Sequence, residues 1–384
     1  MKKTLLLLGL AVVAACSAGS DTLAQAVPNS PNPPVTLAPT FGGLLNAPAE
    51  LQVTKLDTVK EARGLAVGPD GAIYVSQPGH GQITRLVDAN HDGVVEQRSV
   101  VLRRLNQPHG MAFRDGWMYV ANTDATVRYR LDANGLPSGS PETIATYSWG
   151  GGHSTRSIVF GADGALYISV GSSCNLCEER NADRAAVSRV AAEGGPIRVY
   201  SRGLRNAVGI VLHPVTGKIW VSQNERDNIR PNHEDLPPEE INILEDGAHF
   251  GWPYCYAVRV PNPEYGDPAK CAATAPPALM IQAHSAPLGM SFLDKASKLP
   301  AAYRGDLLLA LHGSWNRDIP TGAKVVRVRI VNGLPVSYED FITGWQDRNN
   351  GNRWGRPVDV AVASDGSVLI SDDDGGVIWR VIPR

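Results

Sequence analysis

Two residue types placed to do chemistry stand in glycine-bearing motifs of this chain. His153 follows three glycines in Gly150-Gly151-Gly152-His153-Ser154-Thr155-Arg156, and Arg205 lies in Gly203-Leu204-Arg205-Asn206. A histidine can take a proton near neutral pH because its ordinary pKa lies there, and the glycines before it let a ligand approach the backbone. Arginine presents a fixed positive fork to a carboxylate or a developing oxyanion, while Asn206 can both donate and accept. Each has a plainer reading: His153 bonding a neighbouring loop, and Arg205 pairing with an aspartate nearby.

Oxygen-rich loops are the second kind of candidate. An acidic stretch runs from Gln223-Asn224-Glu225-Arg226-Asp227 through Glu239-Glu240-Ile241-Asn242 to His249-Phe250-Gly251-Trp252-Pro253. Carboxylates mixed with loop carbonyls suit a hard cation such as calcium, which takes six to eight oxygens; a solvated acidic loop is the alternative. Asp88-Ala89-Asn90-His91-Asp92-Gly93 matches the first half of a calcium loop, but Ser99 stands where the twelfth-position glutamate belongs. It reads as a turn, with weak calcium binding as the second reading.

Four cysteines follow Cys16, an even number that favours two disulfides in an oxidising compartment. The simplest pairing is Cys174 with Cys177 and Cys255 with Cys271. A redox motif would need a βαβ surround, haem attachment would need histidine where Glu178 stands, and zinc would need two further ligands.

The elements that must position these groups announce themselves by repetition. Six times a short apolar run, a tight turn usually spelled Asp-Gly, and a second apolar run recur, starting at Gly64, Gly110, Ser157, Gly209, Gly289 and Val358. Hairpins recurring at such intervals mark an all-β fold, a six-bladed β-propeller. His153 precedes the third hairpin and Arg205-Asn206 the fourth, the same topological place one blade later. A base and a cation therefore face one rim of the central channel.

At 384 residues the chain holds one large propeller and no second sizeable domain. Its 36 Lys plus Arg against 38 Asp plus Glu leave no surplus charge for nucleic acid or an anionic membrane. The 39 Gly and 28 Pro suit a turn-rich protein with little helix. Lys2 and Lys3 before the apolar run Leu5 to Ala15 have the layout of a secretory signal, residues 1–26. Two cleavage readings stand: a lipobox, Val13-Ala14-Ala15-Cys16, which would lipidate Cys16, and an ordinary site at Ala24-Gln25-Ala26. Either implies export, to a periplasm, with a lipid anchor as the one membrane attachment. The Pro- and Ser-rich stretch 27–48 reads as a tether, leaving 49–384 for the propeller.

Taken in order, GGHSTR, GLRNAVG, EEINIL with HFGWPYC, HSAPLG, LHGSWNR and RPVDVA resemble the pyrroloquinoline-quinone-dependent sugar dehydrogenases, from about Gly64 to the C-terminus. The GSSCNLC, PYC and HGSWNR variants are closer to the sorbosone and pyranose branch than to the glucose branch. The resemblance implies a PQQ- and calcium-dependent oxidoreductase acting on a sugar. His153 would take the hydroxyl proton while hydride passes to the quinone, and Arg205 would hold and polarise a quinone carbonyl. Asn206, His284 and Arg356 would contact the cofactor, with His312 or Arg317 replacing a family lysine, and Trp354 standing where the glucose branch has an arginine. The main-chain oxygens of Glu225 and Arg226 would hold a cofactor calcium; Glu240 and the main-chain oxygen of Phe250 would hold a structural one. With no haem motif in the chain, electrons would leave to a separate cytochrome or quinone. Two rival classes remain: a calcium-dependent lactonase-like hydrolase, which would not need Arg205, Asn206 and Arg356 to converge, and a non-catalytic binding propeller, whose natural signature would be loss of His153 or Arg205.

Overall fold

A computed structural model describes residues 35–347 and 350–384; the signal segment, Cys16, Ala24-Gln25-Ala26 and the start of the tether lie outside the described residues. Each of the six hairpins opens a four-stranded antiparallel sheet. Five sheets are built in chain order from residues 65–102, 111–146, 156–202, 207–281 and 287–342. The sixth, 357–383, takes its outermost strand from Leu51–Thr58, so the beginning of the described chain closes the ring. The six-bladed expectation holds. Helix is scarce among the described residues: one α-helix, Pro268–Ala272, and none long and apolar enough to cross a membrane.

Two repeated side-chain devices explain why the hairpin phrase recurs. The turn aspartate caps its own turn and then receives an arginine from the third strand. Asp70 accepts from the Ala72 amide at 3.2 Å and pairs with Arg85 at 2.6 Å, and Asp163 pairs with Arg189 at 2.8 Å. Asp365 does the same with Arg380 at 2.6 Å. The serine that closes the second strand reaches across to the next blade: Ser222 Oγ donates to Leu288 O at 2.6 Å, Ser371 Oγ to Arg63 O at 2.6 Å, and Ser169 Oγ to Ala207 O. Around the axis the backbones come so close that a Cβ on Gly209 would collide with the Leu288 carbonyl.

Between blades the packing is apolar. Trp220, Ile241 and Leu279 of the fourth blade meet Leu307, Leu309 and Val326 of the fifth. The described part of the expected tether belongs to this packing. Leu37–Thr40 pairs with Leu45–Pro48, Asn46 exchanges backbone bonds with Thr343 at 2.8 and 3.0 Å, and Leu45 and Ala47 are fully buried with Trp345 and Trp379. Proline and serine content suggested a tether, but two buried apolar side chains suffice to dock the hairpin.

Candidate functional site

In every blade the innermost strand starts, and the second strand ends, at the same rim. Arg63, His109, His153, Arg205, His284 and Arg356 stand one to three residues before a first strand; Ser172, Asn224, His312 and Asp373 stand one or two residues after a second. Ring topology thus gathers residues hundreds of positions apart.

On the third and fourth blades this rim carries His153 and Arg205. His153 Nδ1 lies 2.9 Å from Ser172 O and 3.0 Å from Ser172 Oγ. A carbonyl only accepts, so Nδ1 carries the proton. Ser172 Oγ spends its own hydrogen on Cys174 O at 2.6 Å and can likewise only accept from the ring. Nε2 is left bare, with no protein partner among the described residues. Burial first, then the charge of Arg205, push the His153 pKa down to about 4, with Arg184 and Arg156 adding to it. The plain reading of His153 as a loop-bonding group and the reading as a base are therefore both met, one by each nitrogen.

Arg205 is 6% exposed, and its guanidinium is fully engaged. Nε donates to Asn175 O at 3.0 Å, Nη1 to Glu225 O at 2.7 Å and Asn224 O at 3.3 Å, and Nη2 to Asn175 Oδ1 at 2.9 Å and Asp227 Oδ2 at 3.4 Å. Burial lowers its pKa, with Asp227 and Glu225 opposing. The two longest bonds are those a ligand could displace. Gly171 lies between His153 and Asn206: a Cβ there would sit 2.7 Å from His153 Cβ and 2.5 Å from Asn206 Oδ1. That Asn206 oxygen is buried without a partner. Asp227 joins the fifth blade to this cluster, facing His284 Nδ1 at 3.6 Å and accepting from Asn316 Nδ2 at 2.9 Å, while Asn316 Oδ1 is left bare.

Across the ring, the fifth, sixth and first blades make a second polar cluster. His312 Nε2 and Arg63 Nη1 sit 2.9 and 2.6 Å from the two oxygens of Asp373, and Arg356 donates to His312 O at 3.0 Å and Gly313 O at 3.1 Å. Burial would raise the Asp373 pKa, but His312 and Arg63 hold it at about 2; burial holds His312 at about 4. An open cleft of about 290 Å³ between Arg63, Arg356, Asp373 and Asp374 exposes the two guanidinium groups.

The remaining expected residues are placed as follows. Arg317 is committed to the loop beside it, donating to Glu234 O and facing Asp235 at 3.6 Å, so it clasps that loop rather than joining either cluster. Trp354 donates to Gly344 O at 2.8 Å and packs against Trp345 and Trp379, outside both clusters. Glu240 is fully buried, accepting from Asn242 Nδ2 at 2.9 Å and the Ala257 amide at 3.1 Å. Phe250 lies in an apolar cluster with Leu204 and Leu244, and no hydrogen bond or ion pair joins it to Glu240. Arg226 pairs with Glu264 at 2.5 Å. The Asp88 turn brings the carboxylates of Asp88, Asp92 and Glu96 within 4.8 Å of one another. Both disulfides form as paired, Cys174–Cys177 and Cys255–Cys271.

Sequence reasoning missed Ser172, Asn175, Asn316, Arg63 and Asp373, and named Asp227 and Glu239 within the acidic stretch without giving either a role of its own. Glu239 is the most consequential: Oε2 accepts from the Glu225 amide at 2.6 Å. Burial raises its pKa to about 8, and burial raises Glu225 and Glu240 as well, with the charge of Glu225 next for Glu240. Adjacent glutamates at 239 and 240 in a strand were visible, but not that both would be enclosed.

Three comparisons bear on this site. Residues 48–383 match the family model described as TrAA12-like. An uncharacterized protein of Borreliella burgdorferi is 28% identical over 344 residues, 85% of this chain and 86% of its own length. A pyrroloquinoline quinone-dependent pyranose dehydrogenase of Coprinopsis cinerea is 27% identical over 389 residues, covering 83% of this chain; the alignment spans 52% of that protein, so this chain corresponds to about half of it. Among solved structures, a calcium structure of the Trichoderma reesei family AA12 enzyme superposes with a TM-score of 0.78 at 21% identity, over 91% of this chain and 98% of that one.

Proposed function

The chain belongs to the TrAA12-like family, and on that premise we propose that it is a quinoprotein sugar dehydrogenase, using pyrroloquinoline quinone and calcium to oxidise a sugar. The observation that carries the reading is the bare Nε2 of His153, beside buried Arg205 and the unpartnered Asn206 oxygen. A second support is the pair of accessible guanidinium groups, Arg63 and Arg356, on the same rim. A tricarboxylated cofactor needs cations on separate sides, and this donor set fits one.

When bound, the quinone supplies a two-electron acceptor for the hydride of a sugar carbinol. His153 Nε2 is placed to take the hydroxyl proton; its lowered pKa keeps it neutral and able to accept throughout the neutral range. Arg205 would hold positive charge at the reacting end, exchanging its 3.3 and 3.4 Å bonds for ligand oxygens. Asn206 would donate or accept beside it, and Arg356 and Arg63 would meet carboxylates.

Calcium is argued from the buried carboxylates. Glu225, Glu239 and Glu240 are nearly or wholly enclosed and their pKa values are all raised, a state that a divalent cation relieves. The calcium structure of the Trichoderma relative is consistent with this. We also infer export, since two disulfides suit an oxidising compartment, and a separate electron carrier.

Dye-linked reduction with quinone and calcium each added or withheld, over aldoses, ketoses and sorbosone, tests the reading. Activity that requires both supports it. Absence of quinone binding and of dye reduction with every sugar would put the dehydrogenase reading behind the lactonase-like one, with lactone hydrolysis in calcium as the next assay.

A further inference from the structure

The loop closed by Cys174–Cys177 touches both groups to which the chemistry is assigned. Asn175, between the two cysteines, makes five hydrogen bonds. Its carbonyl accepts from Arg205 Nε at 3.0 Å and from Trp252 Nε1 at 3.2 Å. Its Oδ1 accepts from Arg205 Nη2 at 2.9 Å and from the Asp227 amide at 2.8 Å, and its Nδ2 donates to Asp227 O at 3.1 Å. Asn175 thereby fixes two edges of the Arg205 fork and the loop that supplies the arginine's carboxylate partner.

The residue before it acts on the base. Cys174 O accepts the Ser172 hydroxyl hydrogen at 2.6 Å, which turns the Ser172 lone pairs toward His153 Nδ1. The Ser172 carbonyl, 2.9 Å from the same nitrogen, already favours the proton on Nδ1; with the hydroxyl turned the other way, Ser172 Oγ would compete with it by donating to Nδ1, and part of the molecules could carry the proton on Nε2 instead. The ring would then have no lone pair where a substrate proton must go. Downstream, Glu179 accepts from the Ser173 amide at 2.5 Å and from Ser173 Oγ at 2.8 Å, so the loop is anchored at both ends.

From these contacts we propose that the Cys174–Cys177 loop is the positioning element of the site: Asn175 orients Arg205, and Cys174, by holding the Ser172 hydroxyl as an acceptor, secures the His153 tautomer that the Ser172 carbonyl favours, with a bare Nε2. The disulfide holds the four-residue loop in the one conformation that presents both carbonyls and the amide. A structural staple alone would stabilise the blade without caring what Asn175 is. The proposal rests on the dehydrogenase reading only for its kinetic consequence; the tautomer and the arginine geometry belong to the protein without ligand.

The test uses the full chain, wild type, Asn175→Ala, and the double variant Cys174→Ser/Cys177→Ser. Nitrogen-15 histidine spectra report the tautomer, with the His153 signals identified by their absence in His153→Asn. The wild type should show His153 protonated on Nδ1, and the double variant a mixture of the two tautomers. Asn175→Ala keeps the disulfide and should keep the tautomer, yet lose about 10- to 100-fold in kcat, the range for groups that orient a catalytic residue, with sugar KM nearly unchanged and a cooperative melt. Unaltered tautomer in a folded double variant, or unaltered kcat in Asn175→Ala, overturns the proposal. If the double variant does not fold, Cys177→Ser, which opens the disulfide and keeps Cys174 and Ser172, takes its place in the tautomer measurement. A wild type that oxidises no sugar would defeat the dehydrogenase reading while the spectra still decide this one.

Discussion

Protonating His153 should require unusually acid conditions, and the structure sets how acid. Its pKa is pushed from the ordinary 6.5 to about 4 by burial and by three guanidinium groups, Arg205, Arg184 and Arg156. That shift is about 3 kcal/mol against the imidazolium, at about 1.4 per unit. At pH 6.5 an ordinary histidine is half protonated, whereas His153 would be protonated in only about 0.3% of molecules. The sign follows: the group must be neutral to act as a base, so lowering its pKa widens the active range on the acid side. The same shift opposes acid stability, since an unfolded histidine binds a proton below pH 6.5 that the folded one refuses until about pH 4. The assay is a histidine NMR titration of the protein without cofactor from pH 3.5 to 8, assigned with His153→Asn, and with melting curves at each pH to separate titration from unfolding. The midpoint should fall near 4, and Arg184→Gln should move it upward. With cofactor bound, its carboxylates pull the midpoint back toward neutrality, and the acid limb of kcat/KM then lies between 4 and 6.5. A midpoint near 6.5 in the folded, cofactor-free protein would refute the argument that burial and the arginines govern this ring.

Further outcomes follow from other parts of the site. Gly171→Ala inserts a methyl between His153 and Asn206 and should cost about 1–3 kcal/mol in strain, seen as lost turnover with the propeller still folded. His153→Ala should lower kcat by about two to four orders of magnitude with quinone still bound, as measured by spectral titration. From about pH 7.5 to 8.5 the lowered histidines are mostly neutral in both states, while Glu239, raised to about 8, still keeps in part of the folded molecules a proton that the unfolded chain has lost. Stability without calcium should therefore fall across that window, by up to about 1.4 kcal/mol per unit, and added calcium should flatten the slope in thermal melts. Removing Cys255–Cys271 should cost about 3 kcal/mol in the chain-entropy account, against about 2 for the shorter Cys174–Cys177 loop, an order that denaturant melts of the two serine double variants would check.

Much of this arrangement could be read in the chain because the hairpin phrase carries its own physics. The turn aspartate and the closing serine do the same work in blade after blade, so they repeat visibly at Asp70, Asp163 and Asp365 and at Ser169, Ser222 and Ser371. The third strand answers the aspartate with an arginine, but the outermost strand has no such duty and varies, and closure by Leu51–Thr58 left no mark beyond a short apolar alternation. His153, Arg205 and Asn206 could be found because each precedes an inner strand, a place fixed by the repeat. Their partners could not. Asp227, Asn316 and Asn175 come from loops on three successive blades, and only the packing of those blades makes them neighbours. Arg317 and Trp354 show the converse: a motif position told which loop they occupy but not that Glu234 would claim the one and Trp345 the other.

The central claim is a quinone site in which His153 is the base. Its most direct test is an anaerobic single turnover: the chain loaded with pyrroloquinoline quinone and calcium, mixed with substrate sugar and no dye, and followed by the cofactor spectrum. The expected result is loss of the oxidised spectrum in step with one sugar oxidised per chain, with His153→Asn binding the quinone but leaving it oxidised on the same timescale. Equal reduction rates in wild type and His153→Asn would contradict the account.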